Sequence, residues 1–280
     1  MKKIMIFGAG QSGIMVSRWL GVNYELLGFI DNNPSYWTKS VENIKIYSPK
    51  EAINMTPDVI WITVLNYEAC IEIENQLKEL DFKGEIMNIN NIRSLIDIRL
   101  ASLRLMAKEI KERNIEGAVG ELGVYKGDFA AEINRLFPNK DLYLFDTFEG
   151  FDITDIEVEQ FHGFSKAKEG DFSDTSMEIV RDRLPYPEKA IFNKGYFPQS
   201  VKGELPDFCL VSLDTDLYES TYQGLRIFYP KLVKGGMIII HDYNSRQFPG
   251  VEKAVRKFCE ESVVFIIPLC DMHGSAIIIK

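Results

Sequence analysis

Two glycine-rich turns, each set between an apolar strand-like run and a helix-like run, restrict the fold of this chain more than any other feature. The first is Gly8-Ala-Gly10-Gln-Ser-Gly13 and the second is Glu121-Leu-Gly123-Val-Tyr-Lys-Gly127. A glycine turn that carries a strand into a helix opens a βαβ unit, and such units build doubly wound parallel sheets. Two well-separated turns in 280 residues predict an α/β protein with two Rossmann-like domains.

Around the first turn, the hydrophobic spacing predicts strands at 3–7, 25–31, 45–47, 58–64 and 85–89, with helices at 12–20 and 67–80. Residues 92–113 carry apolar side chains at helical intervals among many Arg and Lys, which predicts one stiff amphipathic helix. The expected organisation is a nucleotide-binding module over 1–91, a connecting helix over 92–114 and a second domain over 115–280. In the second domain, strands are expected at 118–122, 142–146, 190–193, 208–213 and 237–241. Two last runs, 263–268 and 276–280, read as an antiparallel hairpin. A parallel sheet closed by such a hairpin is the order of class I methyltransferases, by fold analogy. Residues 151–176 are polar, acidic and irregular, and read as a mobile lid.

The bulk charge narrows the partners. The net charge is -9 and no basic stripe stands out, which argues against nucleic acid. No apolar run reaches the ~20 residues that span a bilayer, so no membrane partner is expected. The apolar start, Ile4 to Phe7, is too short for a leader and runs into glycines, so it reads as a strand. Cys70, Cys209, Cys259 and Cys270 show no metal spacing and read as reduced residues of a cytoplasmic protein. Assembly into a homo-oligomer is left open by the sequence.

The two turns call for different ligands. In the first, Gly8 allows the tight turn, Gly10 lets backbone approach a phosphate, and Gly13 lets helix pack on strand. Asp31 closes the next strand where a ribose-binding acid belongs. The ligand expected is NAD or a nucleotide sugar, in a module too short to hold a substrate domain. In the second turn, Glu121 stands before the glycines and suits a cationic or neutral group better than a pyrophosphate. S-adenosylmethionine, with its sulfonium and amino-acid tail, meets that description, and Asp146 is placed to hold its ribose. A second phosphate-binding turn is the competing reading.

Beyond the turns, Asp214, Asp216 and the pair His241-Asp242 follow two buried strand runs. Ligands of open α/β sheets bind at the carboxyl ends of strands. Acids converging there repel unless protonated or bound to a divalent cation. The plainer alternatives are that Asp216 caps the following helix and Asp242 anchors a turn. His162 and His273 lie in loops and read as solvated, and Phe148, Tyr196 and Phe197 read as pocket walls.

Five segments in order now carry a resemblance. They are Glu121–Gly127, Phe145–Phe151, Lys194–Pro198, Leu213–Thr221 and Gly235-Gly236 with His241–Tyr243. Over about residues 100–280 they resemble the macrocin O-methyltransferase family. The resemblance implies a metal-dependent enzyme that moves a methyl group from S-adenosylmethionine to a hydroxyl of a sugar, glycoside or nucleotide-linked substrate. It implies cofactor contacts at Glu121, Gly123, Gly127, Asp146 and Gly195. It implies a metal, expected to be Mg²⁺, at Asp214, His241 and Asp242, and a general base at Asp216. His241 departs from the family pattern, where an acid is common, and imidazole suits softer metals than Mg²⁺. It reads as a ligand, a proton acceptor or a supporting neighbour. Two other functions compete: a nucleotide-sensing protein with an inactive methyltransferase-like half, and an NAD-dependent oxidoreductase that uses the first module.

Overall fold

Runs of β-branched and aromatic residues bounded by glycine, asparagine or acids set both sheets in the computed structural model, which describes residues 1–280. The chain divides into two compact units: Met1–Ile98 with Cys270–Met272, and Arg99–Leu269 with His273–Lys280.

The first unit runs β1 (Lys2–Phe7), α1 (Gln11–Trp19), β2 (Tyr24–Ile30), β3 (Ser40–Val41), β4 (Ile44–Tyr47), α2 (Pro49–Asn54), β5 (Val59–Ile62), α3 (Tyr67–Glu79) and β6 (Glu85–Asn88). Its sheet has the order β3-β4-β2-β1-β5-β6 and is parallel except at β3–β4. Ile4, Met5, Ile6 and Phe7 are all buried, as a central parallel strand requires. The short helix α2 was not expected. Pro49 starts it, and Ser48 and Glu51 cap each other's backbone N–H groups.

The connecting helix is shorter than expected. It is α4 (Ile98–Glu112), with Leu103, Met106, Ala107 and Ile110 buried. Residues 92–97 form separate turns, with Leu95 and Ile96 exposed. Asn90, Asn91 and Asp97 are residue types whose side chains compete for backbone bonds, so helix starts only behind Asp97.

The second unit continues with β7 (Ala118–Leu122), α5 (Asp128–Leu136), β8 (Leu142–Asp146), α6 (Ile153–His162), α7 (Met177–Arg183) and β9 (Ala190–Lys194). It ends with β10 (Phe208–Leu213), α8 (Tyr218–Lys231), β11 (Leu232–Ile240), α9 (Pro249–Ser262), β12 (Ile267–Pro268) and β13 (Ala276–Ile279). The order is β12-β13-β11-β10-β7-β8-β9, parallel from β9 to β11, with β13 antiparallel to β11 and β12. This is the class I methyltransferase arrangement. All six residues of β10 are buried, and the carboxyl ends of β7, β8, β10 and β11 meet at one rim.

Two expectations change here. The strand expected over 263–268 shrinks to β12, because α9 runs to Ser262 and Val263 ends it in the left-handed region. The expected irregular lid contains the helix α6. Asp152 accepts the N–H of Thr154 at its start and Gly163, at φ 62°, ends it. Its buried face is Asp155, Ile156 and Glu159. Two acids on the inward face removed the apolar stripe that marks a helix in sequence.

Candidate functional site

The cofactor wall begins with Gly123, at φ +80° in a turn no other residue fits. A Cβ there would lie 2.0 Å from the carbonyl oxygen of Asp214. The Gly123 N–H donates to Phe145 O at 2.9 Å, and Asp214 N–H donates to Leu122 O at 2.8 Å. At Gly127, at φ +82°, a Cβ would lie 2.9 Å from the Val180 side chain. Asp146 braces the turn: Oδ2 accepts from Val124 N (2.7 Å) and Tyr125 N (3.0 Å), and Oδ1 accepts from Phe148 N (2.6 Å). Gly195 donates its N–H to Asp146 O at 2.9 Å. Glu121 is 1% exposed and its Oε2 has no hydrogen-bond partner. Burial pushes its carboxyl well above the ordinary range, with the Arg99 guanidinium opposing. A buried carboxylate oxygen without a donor costs stability unless a cationic ligand answers it.

The opposite wall is the acid cluster. The ligand atoms of Asp214, Asp216, His241 and Asp242 all lie within 4.8 Å of one another. Asp216 (φ 59°) and Asp242 (φ 55°) adopt left-handed backbone, which non-glycine residues hold only where the surroundings impose it. Asp216 makes no cap bond to α8, whose cap position is Leu217. His241 Nδ1 stands 2.8 Å from Asp214 Oδ1 and 2.5 Å from Asp242 Oδ2. Neither oxygen lies along the ring N–H direction, so the nitrogen is crowded by carboxylates without a well-formed hydrogen bond.

The electrostatics follow from this crowding. Burial opposes ionisation of Asp214, but Arg99 and His241 outweigh it and hold its carboxyl well below the usual range. Burial, with Asp214 and Asp242 beside it, pushes Asp216 well above. Burial disfavours the His241 imidazolium, yet Asp214 reverses that and raises the ring to about 10. Without a cation, the cluster therefore keeps protons on His241 and Asp216. Three carboxylates and an orphaned imidazole nitrogen are a donor set that fits a divalent metal, whose binding would displace those protons to solvent.

Both walls line one cavity of about 430 Å³, which also takes in Arg99, Asp155, Tyr196, Ser220 and His273. Phe148 is buried in the core beside it, and Phe197 and Tyr196 form wall as expected. His273 is exposed, as its loop position led us to expect, and its ring also lies tilted beside that of His241, with centres 4.8 Å apart. His162 is exposed and stacks on Phe164 at 4.9 Å. Arg99 and Asp155 had no signal in the sequence, and Ser220 was covered only as part of the segment Leu213–Thr221. Tyr196 OH donates to Asp155 Oδ1 at 2.7 Å and Ser220 Oγ donates to Oδ2. Burial raises the Asp155 carboxyl to about 6, against those two donors.

In the first unit, Gly8 (φ +111°) and Gly13 make the expected tight turn, with a Cβ on Gly13 only 2.0 Å from Gly8 O. Nothing stands within 4 Å of a Cβ on Gly10, so its backbone is open to approach. Asp31 Oδ2 accepts from Ala9 N at 3.3 Å and Oδ1 from Asn33 N at 2.8 Å.

Comparison with known proteins adds to this geometry. A family model for macrocin-O-methyltransferase (TylF) matches residues 93–277. A second model, described as C2185-like, N-terminal, matches residues 1–87. Demethyldecarbamoylnovobiocin O-methyltransferase of Streptomyces niveus is 26% identical over 167 residues, which are 55% of this chain and 63% of that enzyme. The matched stretch thus spans less than two thirds of the relative. The solved O-methyltransferase NovP superposes with a TM-score of 0.53 at 21% identity, over 65% of this chain and 79% of its own. The calicheamicin methyltransferase CalS11 gives a TM-score of 0.48 at 16% identity, over 82% and 91%.

Proposed function

The chain belongs to the macrocin O-methyltransferase family, and from that premise we propose that it moves a methyl group from S-adenosylmethionine to a hydroxyl of a sugar, glycoside or nucleotide-linked small molecule, with a divalent metal. The observation that carries this reading is the close approach of Gly123 to Asp214. The turn suited to the cofactor and the strand end bearing the acids touch through backbone, at 2.0 Å from a would-be Cβ. A methyl donor held at the turn would then lie in the same cavity as an acceptor held at the acids.

S-adenosylmethionine, when bound, supplies an electrophilic methyl group, and a divalent cation, when bound, lowers the pKa of the acceptor hydroxyl. The chain's own residues do the rest. Glu121 answers the cationic amino-acid tail with its unpartnered oxygen, and Asp146 faces the ribose. Asp214, His241 and Asp242 would hold the metal. Asp216 takes the acceptor proton. Its carboxylate lies within 4.8 Å of the ligand atoms of the other three, close enough to serve a hydroxyl held there. The walls Tyr196, Phe197 and Phe248 exclude water from the transfer.

Radiolabelled S-adenosylmethionine with a panel of glycosides and sugar nucleotides tests the reading. Transfer that stops with chelator, and with Asp214→Ala or Asp242→Ala, supports it. Full activity in excess chelator sinks the metal mechanism. We further propose that residues 1–91 bind NAD or a nucleotide sugar through the open backbone at Gly10, supported by the tight Gly8–Gly13 turn and by Asp31. Calorimetry with each nucleotide decides between them. The four free cysteines support a cytoplasmic location.

A further inference from the structure

Asp214 has two oxygens, and the structure gives them different neighbours. Oδ1 faces His241 Nδ1 at 2.8 Å, inside the acid cluster. Oδ2 accepts from Arg99 Nη1 at 2.8 Å, outside it. The second guanidinium nitrogen, Nη2, donates to Ser212 Oγ at 3.3 Å, two residues back on the same strand. The flat face of the guanidinium lies over Phe129, with Cζ 3.8 Å from the ring centre. Phe129 belongs to the first turn of α5, immediately beyond the cofactor turn. The Arg99 side chain is only 12% exposed and comes from the first turn of α4. It is therefore gripped on three sides: by Asp214, by Ser212 and by the ring.

We infer that Arg99 is a positioning residue that takes Oδ2 of Asp214 out of the cluster, so that the cleft receives Asp214 as a one-oxygen ligand of fixed orientation. Two alternatives are unfavourable on geometry. A freely rotating Asp214 would offer both oxygens and bring a further negative oxygen toward Asp216 and Asp242. A lysine in place of Arg99 would carry the same charge but could not fork to Asp214 and Ser212 together or lie flat on Phe129. The guanidinium acts by shape, and its charge alone does not replace it. Partners that orient a metal's ligands are commonly worth about 10–100-fold in metal affinity or activity.

This inference rests on the metal reading proposed above, and the experiment separates the two. Mn²⁺ binding to the full chain is measured by calorimetry for the wild type, Arg99→Lys and Ser212→Ala. S-adenosylmethionine affinity and the thermal midpoint are measured in parallel. The expected result is that Arg99→Lys weakens Mn²⁺ binding by about tenfold or more while cofactor affinity and midpoint hold. Ser212→Ala, which keeps the arginine and loosens one prong, should weaken Mn²⁺ in the same direction and by less. Mn²⁺ affinity unchanged in Arg99→Lys overturns the inference and leaves the metal reading standing. So does a loss of Mn²⁺ binding that merely tracks loss of cofactor binding or of fold. A wild type that binds no Mn²⁺ removes the metal reading and this inference with it.

Discussion

In the first unit, an acid at the end of the second strand, Asp31, accepts a backbone N–H from the glycine turn at Ala9. In the second unit, Asp146 does the same from Val124 and Tyr125. The likeness extends further. β5 pairs with β1 as β10 pairs with β7. Thr63 N–H bonds to Phe7 O at 2.9 Å, and Asp214 N–H bonds to Leu122 O at 2.8 Å. Two side chains break the likeness. The residue two before the first glycine is Ile6 in one unit and Glu121 in the other, both buried. The residue just past the neighbouring strand is Thr63 in one and Asp214 in the other. Thr63 spends its hydroxyl on Phe7 O, at 3.0 Å, whereas Asp214 spends its carboxylate on Arg99 and His241. The same backbone thus frames a neutral turn suited to an anion and an acidic turn suited to cations. On the proposed function, ligand class would be decided by those two positions more than by the glycines.

The hardest test of that contrast is steric. Gly123→Ala places a methyl against Asp214 O, and transfer should fall by on the order of a hundredfold, because the two walls move apart. Gly13→Ala meets an equal clash with Gly8 O, yet should leave S-adenosylmethionine affinity intact in calorimetry. If both variants lose that affinity together, the two turns are not independent and the contrast fails. Next in size is Glu121→Gln. It should weaken S-adenosylmethionine by about 1.5–3 kcal/mol, the worth of a charged hydrogen bond. The same change should raise the thermal midpoint, since a buried carboxyl with a raised pKa opposes folding at neutral pH.

A third test asks whether the acidic character of the second unit extends to α6. The Asp155 carboxyl rises from 3.8 to about 6 on folding. The folded state therefore binds more protons between these values, and its ionisation penalty is fully present above pH 6. Stability should increase as pH falls from 7 toward 4, by at most roughly 3 kcal/mol from this group. Urea unfolding at the two pH values should show that increment in the wild type and its absence in Asp155→Asn. The smallest effect on transfer belongs to Asp31→Ala. Nucleotide binding to the first unit should vanish, while methyl transfer stays within about twofold, as for sites that share no partner.

Much of this was legible from the chain alone, and the missing parts share a cause. The parallel strands announced themselves as β-branched runs, and the glycine turns and strand-end acids were read at their positions. Arg99 was not, because its partner Asp214 is distant in sequence and an arginine on an amphipathic helix looks like a solvated one. Helix α6 was hidden by acids, since Asp155 and Glu159 occupy the face that patterning expects to be apolar. His273 looked like an ordinary loop residue because the approach of its ring to that of His241 leaves no trace in spacing. Contacts made through tertiary structure by polar residues have no period, and period is what a sequence displays.

The contact between Gly123 and the Asp214 carbonyl also bears on how such enzymes diversify. With no room for one methyl group between the two walls, the distance from donor to acceptor is not a quantity that substitution there can adjust. New acceptors must then be accommodated elsewhere on the rim. The segment from Phe151 to Phe172, which supplies α6 and four cavity-lining residues outside the glycine turn, is free of that restriction. Change in this family is expected to accumulate over the segment that bears α6 and to leave the floor alone.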